Sequence, residues 1–155
     1  MCEKIFRQIF AAIILIAVLM PQISCSDAGR QVELESITVY KSPTCGCCTK
    51  WIKYLQANGF KVEAIDLQDM SAVKVEAGIS RQLASCHTAK VGGYVVEGHV
   101  PADDIKRLLK ERPDVVGLTV PGMPMGSPGM EGHREDNYDV LTFTRTGETS
   151  VFSRY

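Results

Sequence analysis

The chain has 155 residues, six cysteines and a formal net charge of −1, which leaves room for one hydrophobic core behind any leader. With no basic stripe and a near-neutral balance, electrostatically driven nucleic-acid binding is excluded. Six cysteines in an exported chain would ordinarily suggest a disulfide scaffold. Three of them, however, fall within Cys45-Gly46-Cys47-Cys48, where they cannot staple distant segments.

The N-terminus reads as an address. Lys4 and Arg7 precede an unbroken apolar run from Ile9 to Met20, which Pro21 closes and small or polar residues follow. This is the anatomy of a signal peptide over residues 1–25, shorter than the roughly 20 apolar residues a membrane-spanning helix needs. Ile23-Ser24-Cys25 resembles the end of a bacterial lipoprotein signal, although Gln22 stands where such signals usually carry leucine. Two outcomes stay open: a lipid anchor through Cys25, or cleavage near Ala28. Either places the mature protein outside the cytoplasm, in the periplasm or anchored to the envelope. Residues 26–35 are polar and read as a tether, leaving 36–155 as the folded domain.

Ile37-Thr38-Val39-Tyr40 is a short strand ended by Ser42-Pro43. After the cysteines, Trp51, Ile52, Tyr54 and Leu55 recur at helical spacing, and Asn58-Gly59 caps that helix. Lys61 to Leu67 predicts a second strand and Met70 to Ala77 a short second helix. Ser80 to Gly93, which holds Cys86-His87, has no periodicity and is expected to be irregular. Tyr94-Val95-Val96 restarts a strand, with a turn at Glu97-Gly98. Pro101 fits the first turn of a helix with Asp103 and Asp104 near its start, and Lys110 and Arg112 near its end. Ile105, Leu108 and Leu109 form its buried stripe, and Pro113 stops it. A short apolar stretch, Val115 to Val120, leads to a Gly/Pro loop over residues 121–132. Tyr138 to Tyr155 alternates around Thr146-Gly147-Glu148 as a β-hairpin. The order β-α-β-α-loop-β-(β)-α-β-β predicts an α/β or α+β domain with a small mixed sheet flanked by helices.

The cysteine group sits between the first strand and the first helix, where the unpaired amides of a helix start favour thiolate. Cys45 and Cys48 have the spacing of a dithiol oxidoreductase. Cys47 adds a third sulfur that such an enzyme would not want, because it would scramble disulfides. Adjacent Cys47 and Cys48 are awkward ligands for one tetrahedral zinc, whereas thiolates bridging several soft ions tolerate crowding, and soft sulfur ligands select Cu(I). Cys86 would close such a site, with His87 beside it as a further ligand and His99 as another candidate through the general metal affinity of imidazole. Met123, Met125 and Met130 lie among Gly and Pro with no core periodicity, and their thioethers suit Cu(I) in an oxidising compartment. The alternatives are an envelope thiol–disulfide oxidoreductase using Cys45 and Cys48, and a zinc or iron–sulfur site on the four cysteines.

Lys41-Ser42-Pro43-Thr44-Cys45-Gly46-Cys47-Cys48, then Trp51, Ser85-Cys86-His87-Thr88, the segment from Val95 to Ala102 and the stretch from Gly117 to Gly129 together resemble the CopG-type copper-resistance proteins of bacterial envelopes. The resemblance runs from about residue 36 to Tyr155. It implies a thioredoxin-like fold and several copper ions held in a thiolate-bridged cluster by Cys45, Cys47, Cys48 and Cys86, with His and Met residues as secondary ligands. Copper would then be sequestered, relayed to another envelope copper protein, or changed in redox state. Whether the chain is an enzyme, and its oligomeric state, are left open by the sequence.

Overall fold

The computed structural model describes residues 36–155. The signal peptide and tether expected over 1–25 and 26–35, with Cys25, lie outside the described residues. In chain order the elements are β1 (Ile37–Lys41), α1 (Gly46–Ala57), β2 (Val62–Asp66), α2 (Ser71–Glu76), β3 (His87–Val91), β4 (Tyr94–Glu97), α3 (Ala102–Glu111), β5 (Gly117–Thr119), β6 (Asp139–Phe143) and β7 (Thr149–Arg154). The strands form one mixed sheet in the order β2-β1-β3-β4-β5-β6-β7. β1 pairs with β2 in parallel and with β3 antiparallel, β3 pairs antiparallel with β4, and β4 pairs in parallel with β5. The chain ends in the β6–β7 hairpin, with an irregular register between Val140 and Leu141. Among the described residues, no helix is long and apolar enough to cross a membrane.

Local sequence explains most of these elements. β1 buries every second residue, the period of a pleated strand. α1 buries Cys48, Trp51, Ile52 and Leu55, spaced three and four apart along one helical face. It ends at Asn58, whose side-chain amide donates to the Tyr54 carbonyl at 2.8 Å, and Gly59 then takes the left-handed φ of +92° that a Cβ would resist. α3 buries Ile105 and Leu108, with Asp103 and Asp104 in its first turn and Lys110 in its last. Pro101 is the N-cap of that helix rather than a member of its first turn.

The main departure from the sequence reading is β3. Ser80 to Gly93 was expected to be irregular, yet His87–Val91 is an inner strand between β1 and β4. Four of its five residues are buried, so it has no alternation for a periodicity argument to find. With this strand the described residues form seven strands, and His87 is the first residue of an inner one. The core joins α1 and α3 to the inner strands through Ile37, Val39, Trp51, Leu55, Ala89, Val96, Ile105, Leu108 and Leu118. The helices are also tied by polar contacts: Trp51 Nε1 donates to the Val100 carbonyl at 2.9 Å, and the Ala102 amide donates to the Tyr54 hydroxyl at 3.1 Å.

Candidate metal centre

Parallel pairing of β1 with β2 needs a crossover, and α1 supplies it by starting just beyond the end of β1. Cys45 is the N-cap of α1, and its sulfur accepts the Cys48 amide at 3.3 Å, which satisfies one of the unpaired donors of the first turn. Cys48 is buried, whereas Cys45 and Cys47 are half-buried. Cys45 and Cys48 are joined as a disulfide, and Cys47 and Cys86 are free thiols.

Antiparallel pairing of β1 with β3 places Lys41 opposite His87, and so carries Cys86 to the same end of the sheet as the start of α1. Cys86 Sγ lies 3.4 Å from Cys48 Sγ and 3.8 Å from Cys47 Sγ, and Cys45 Sγ lies 3.5 Å from Cys47 Sγ. The Cys86 sulfur also meets His87 Nδ1 at 3.3 Å and His99 Nε2 at 3.1 Å. Two donor sets therefore share Cys86: the four cysteines, and Cys86 with both histidines. Within each set the donor atoms lie within 4.8 Å of one another. The six Cys and His residues singled out from sequence thus converge on one place.

The histidines are fully buried. His99 Nδ1 lies 2.8 Å from the Pro128 carbonyl; a carbonyl only accepts, so Nδ1 carries the proton and Nε2 keeps its lone pair toward Cys86. His87 Nε2 is buried with no hydrogen-bond partner, which for a polar atom in a protein interior is costly. Burial, with His99 and Lys74 nearby, holds His87 well below the usual imidazole range, and burial likewise lowers His99. Both rings are therefore neutral and able to donate a lone pair. Trp51 fixes the His87 ring, with centroids 4.3 Å apart. Burial and the adjacent Cys47 push the Cys86 thiol up to about 12, so a cation binding this sulfur would displace its proton. Soft sulfurs, neutral imidazoles and an unpartnered ring nitrogen form a donor set suited to a soft cation.

Sequence reasoning missed what lies behind Cys86-His87. Glu97 is fully buried. Its Oε1 accepts the Ser85 amide at 2.6 Å and Lys74 Nζ at 2.5 Å, and its Oε2 accepts the Thr88 hydroxyl at 2.6 Å. Burial raises its carboxyl while Lys74 opposes that shift. The only local signal was a carboxylate two residues before His99, which reads as an ordinary turn residue.

The loop over 121–132 packs against the site. Pro128 holds His99, and the Ser85 hydroxyl donates to the Gly122 carbonyl. Of its methionines, Met123 is 53% exposed, while Met125 and Met130 are half-buried. Gly129 has φ +88°, and a Cβ there would lie 2.8 Å from Trp51 N and 2.9 Å from Cys47 O. Both neighbours are helix backbone and cannot give way, so Gly129→Ala should force the loop off α1. The expected cost is about 1–3 kcal/mol from overpacking, measurable by denaturant unfolding, with faster alkylation of Cys47. Gly122→Ala is the control: it also has positive φ but open space around it, so it should leave Cys47 reactivity unchanged.

Two family models match the chain: glutaredoxin over residues 37–82 and a protein of unknown function, DUF411, over residues 83–130. The fold is accordingly thioredoxin-like, with the cysteine group at its strand–helix junction. Comparison with curated proteins finds no match. A solved structure named copper resistance protein copG, form 2, is 53% identical, with a TM-score of 0.75, covering 79% of this chain and 99% of that one. Form 1 of the same protein gives the same identity and TM-score, with 98% of that chain covered.

Proposed function

The chain belongs to the family of the copper resistance protein CopG, and on that premise we propose that it is an exported copper-resistance protein holding several Cu(I) ions on its cysteines. The observation that carries this reading is the meeting of four cysteine sulfurs and two neutral imidazoles at Cys86. In the reduced protein Cys45, Cys47, Cys48 and Cys86 would be the principal ligands, with sulfurs bridging neighbouring ions. His87 and His99 would add nitrogen, and Met125, Met130 and the exposed Met123 thioethers would receive or pass on the ion. Copper is cargo here, and each ion bound should release protons from thiols. Residues 1–25 would direct the protein to the periplasm or, through Cys25, to an envelope membrane, where another copper protein would supply or accept the ion.

Anaerobic titration of the reduced protein with Cu(I) tests the reading. More than one equivalent bound per chain is expected, with proton release; less than one would contradict it.

A second reading is favoured by one observation, the Cys45–Cys48 disulfide at a strand–C-x-x-C–helix junction, in the segment matched by the glutaredoxin model. The chain would then exchange disulfides with envelope proteins, or the reduced pair would close to the disulfide, releasing two protons and giving one electron to each of two Cu(II) ions. Against general disulfide exchange stands Cys47, a free thiol whose sulfur lies 3.5 Å from Cys45 Sγ, placed to attack the pair and scramble its disulfide. Insulin reduction at the rate of a dedicated dithiol enzyme, unaffected by Cys86→Ser, would favour this second reading.

A further inference from the structure

We propose that Glu97 is a positioning residue for the copper site, gripping the Cys86-His87 pair from both sides so that the Cys86 sulfur faces the α1 cysteines and a His87 ring nitrogen faces that sulfur. The inference rests on the copper reading above. Ser85 and Thr88 immediately flank the pair, and one carboxylate takes a hydrogen bond from each, at 2.6 Å in both cases. Glu97 lies opposite Thr88 in the β3–β4 register. It therefore ties the strand carrying His87 to the strand leading through Gly98 to His99, and so fixes the separation of the two imidazoles.

Lys74 completes the device. Its ammonium reaches Glu97 Oε1 at 2.5 Å and the Thr88 hydroxyl at 3.1 Å, and it comes from α2, a helix of six residues with none buried. A helix with no buried face adds little through packing; what α2 delivers to the interior is this charge. A buried ion pair is often no more stabilising than an apolar pair of the same shape, so stability alone is a poor reason for it. Its hydrogen bonds to both flanks of Cys86-His87 are a better one, because partners behind metal ligands fix the ligands' orientation.

The test uses Glu97→Gln, the charge-balanced double variant K74M/E97Q, and the pair Thr88→Val and Thr88→Ser. Competition against a chromophoric Cu(I) chelator should show affinity about 10–100-fold weaker in Glu97→Gln, with an altered near-ultraviolet thiolate–copper absorption. The double variant should keep this deficit, although its unpaired ammonium is gone and its melting temperature recovers. Thr88→Val should show part of the loss, and Thr88→Ser should restore wild-type binding. A second readout needs no metal: the ring ¹⁵N resonances of His87 and His99 in the reduced, metal-free protein should move in Glu97→Gln and in K74M/E97Q. If the double variant keeps wild-type resonances and, wherever wild type binds copper, wild-type affinity, Glu97 serves only the fold and the inference is overturned. If wild type itself binds no Cu(I), the copper reading fails, and the imidazole resonances alone decide whether Glu97 positions the pair.

Discussion

Cys86→Ser is expected to remove more bound copper than any other single cysteine replacement. Its sulfur is the only donor common to both sets, within 3.8 Å of Cys47 and Cys48 and within 3.3 Å of a nitrogen of each histidine. Removing it severs the imidazoles from the α1 cysteines. Cys45, by contrast, lies at the edge, with Cys47 as its close free-thiol neighbour, so Cys45→Ser should leave part of the site intact. Serine keeps the shape but is a hard, weakly coordinating donor for a soft ion. Anaerobic Cu(I) titration of both variants decides the point. Wild-type stoichiometry in Cys86→Ser, or a larger loss in Cys45→Ser, would show that the site is built around the α1 cysteines alone. The fold should survive Cys86→Ser, because the sulfur is only half-buried and no apolar packing is lost.

Trp51→Ala should do the opposite, damaging the fold first and the site through it. Trp51 is fully buried at the centre of the core, and loss of so large a side chain costs about 3–5 kcal/mol. Against the roughly 5–15 kcal/mol of a typical domain, that is a large share. Two further losses follow: the Val100 carbonyl gives up its indole donor, and the His87 ring gives up the tilted aromatic ring packed against it. Denaturant unfolding measures the first effect. Trp51→Phe separates them, since it keeps most of the packing and loses the one hydrogen bond, worth about 1 kcal/mol net. Copper binding should therefore be weakened in Trp51→Ala even where the protein is still folded, and nearly retained in Trp51→Phe. Equal stability of Trp51→Ala and wild type would contradict the packing described here.

Why some of the site could be seen in the sequence and some could not follows from where its information lies. The cysteine group at a strand–helix junction was legible because β1 alternates and α1 repeats its apolar residues every three to four positions. The C-terminal hairpin was legible through its alternation and its Thr-Gly-Glu turn. β3 was not, since a strand paired on both edges and buried on both faces carries His, Thr, Ala and Lys where apolar residues would announce it. That one gap hid the register bringing Cys86 to α1. His99 was marked in the sequence only by the general metal affinity of imidazole; its inward turn depends on Gly98 before it, with φ +75° and with Ser85 and the Val120 carbonyl where a Cβ would lie. Glu97 and Lys74 were invisible for a different reason: they are 23 positions apart, and neither has a local pattern that foretells a buried pair. The loop over 121–132 displayed its methionines but not its docking, which depends on Gly129 fitting against the backbone of α1.

In the proposed copper site, sulfur from Cys45, Cys47, Cys48 and Cys86 would surround more than one copper ion. X-ray absorption at the copper edge of the fully loaded, reduced protein tests this most directly. Cu(I) is expected in a shell dominated by sulfur, with copper–copper scattering that disappears in Cys86→Ser. A single copper in a shell of nitrogen and oxygen, with no copper neighbour, would contradict it.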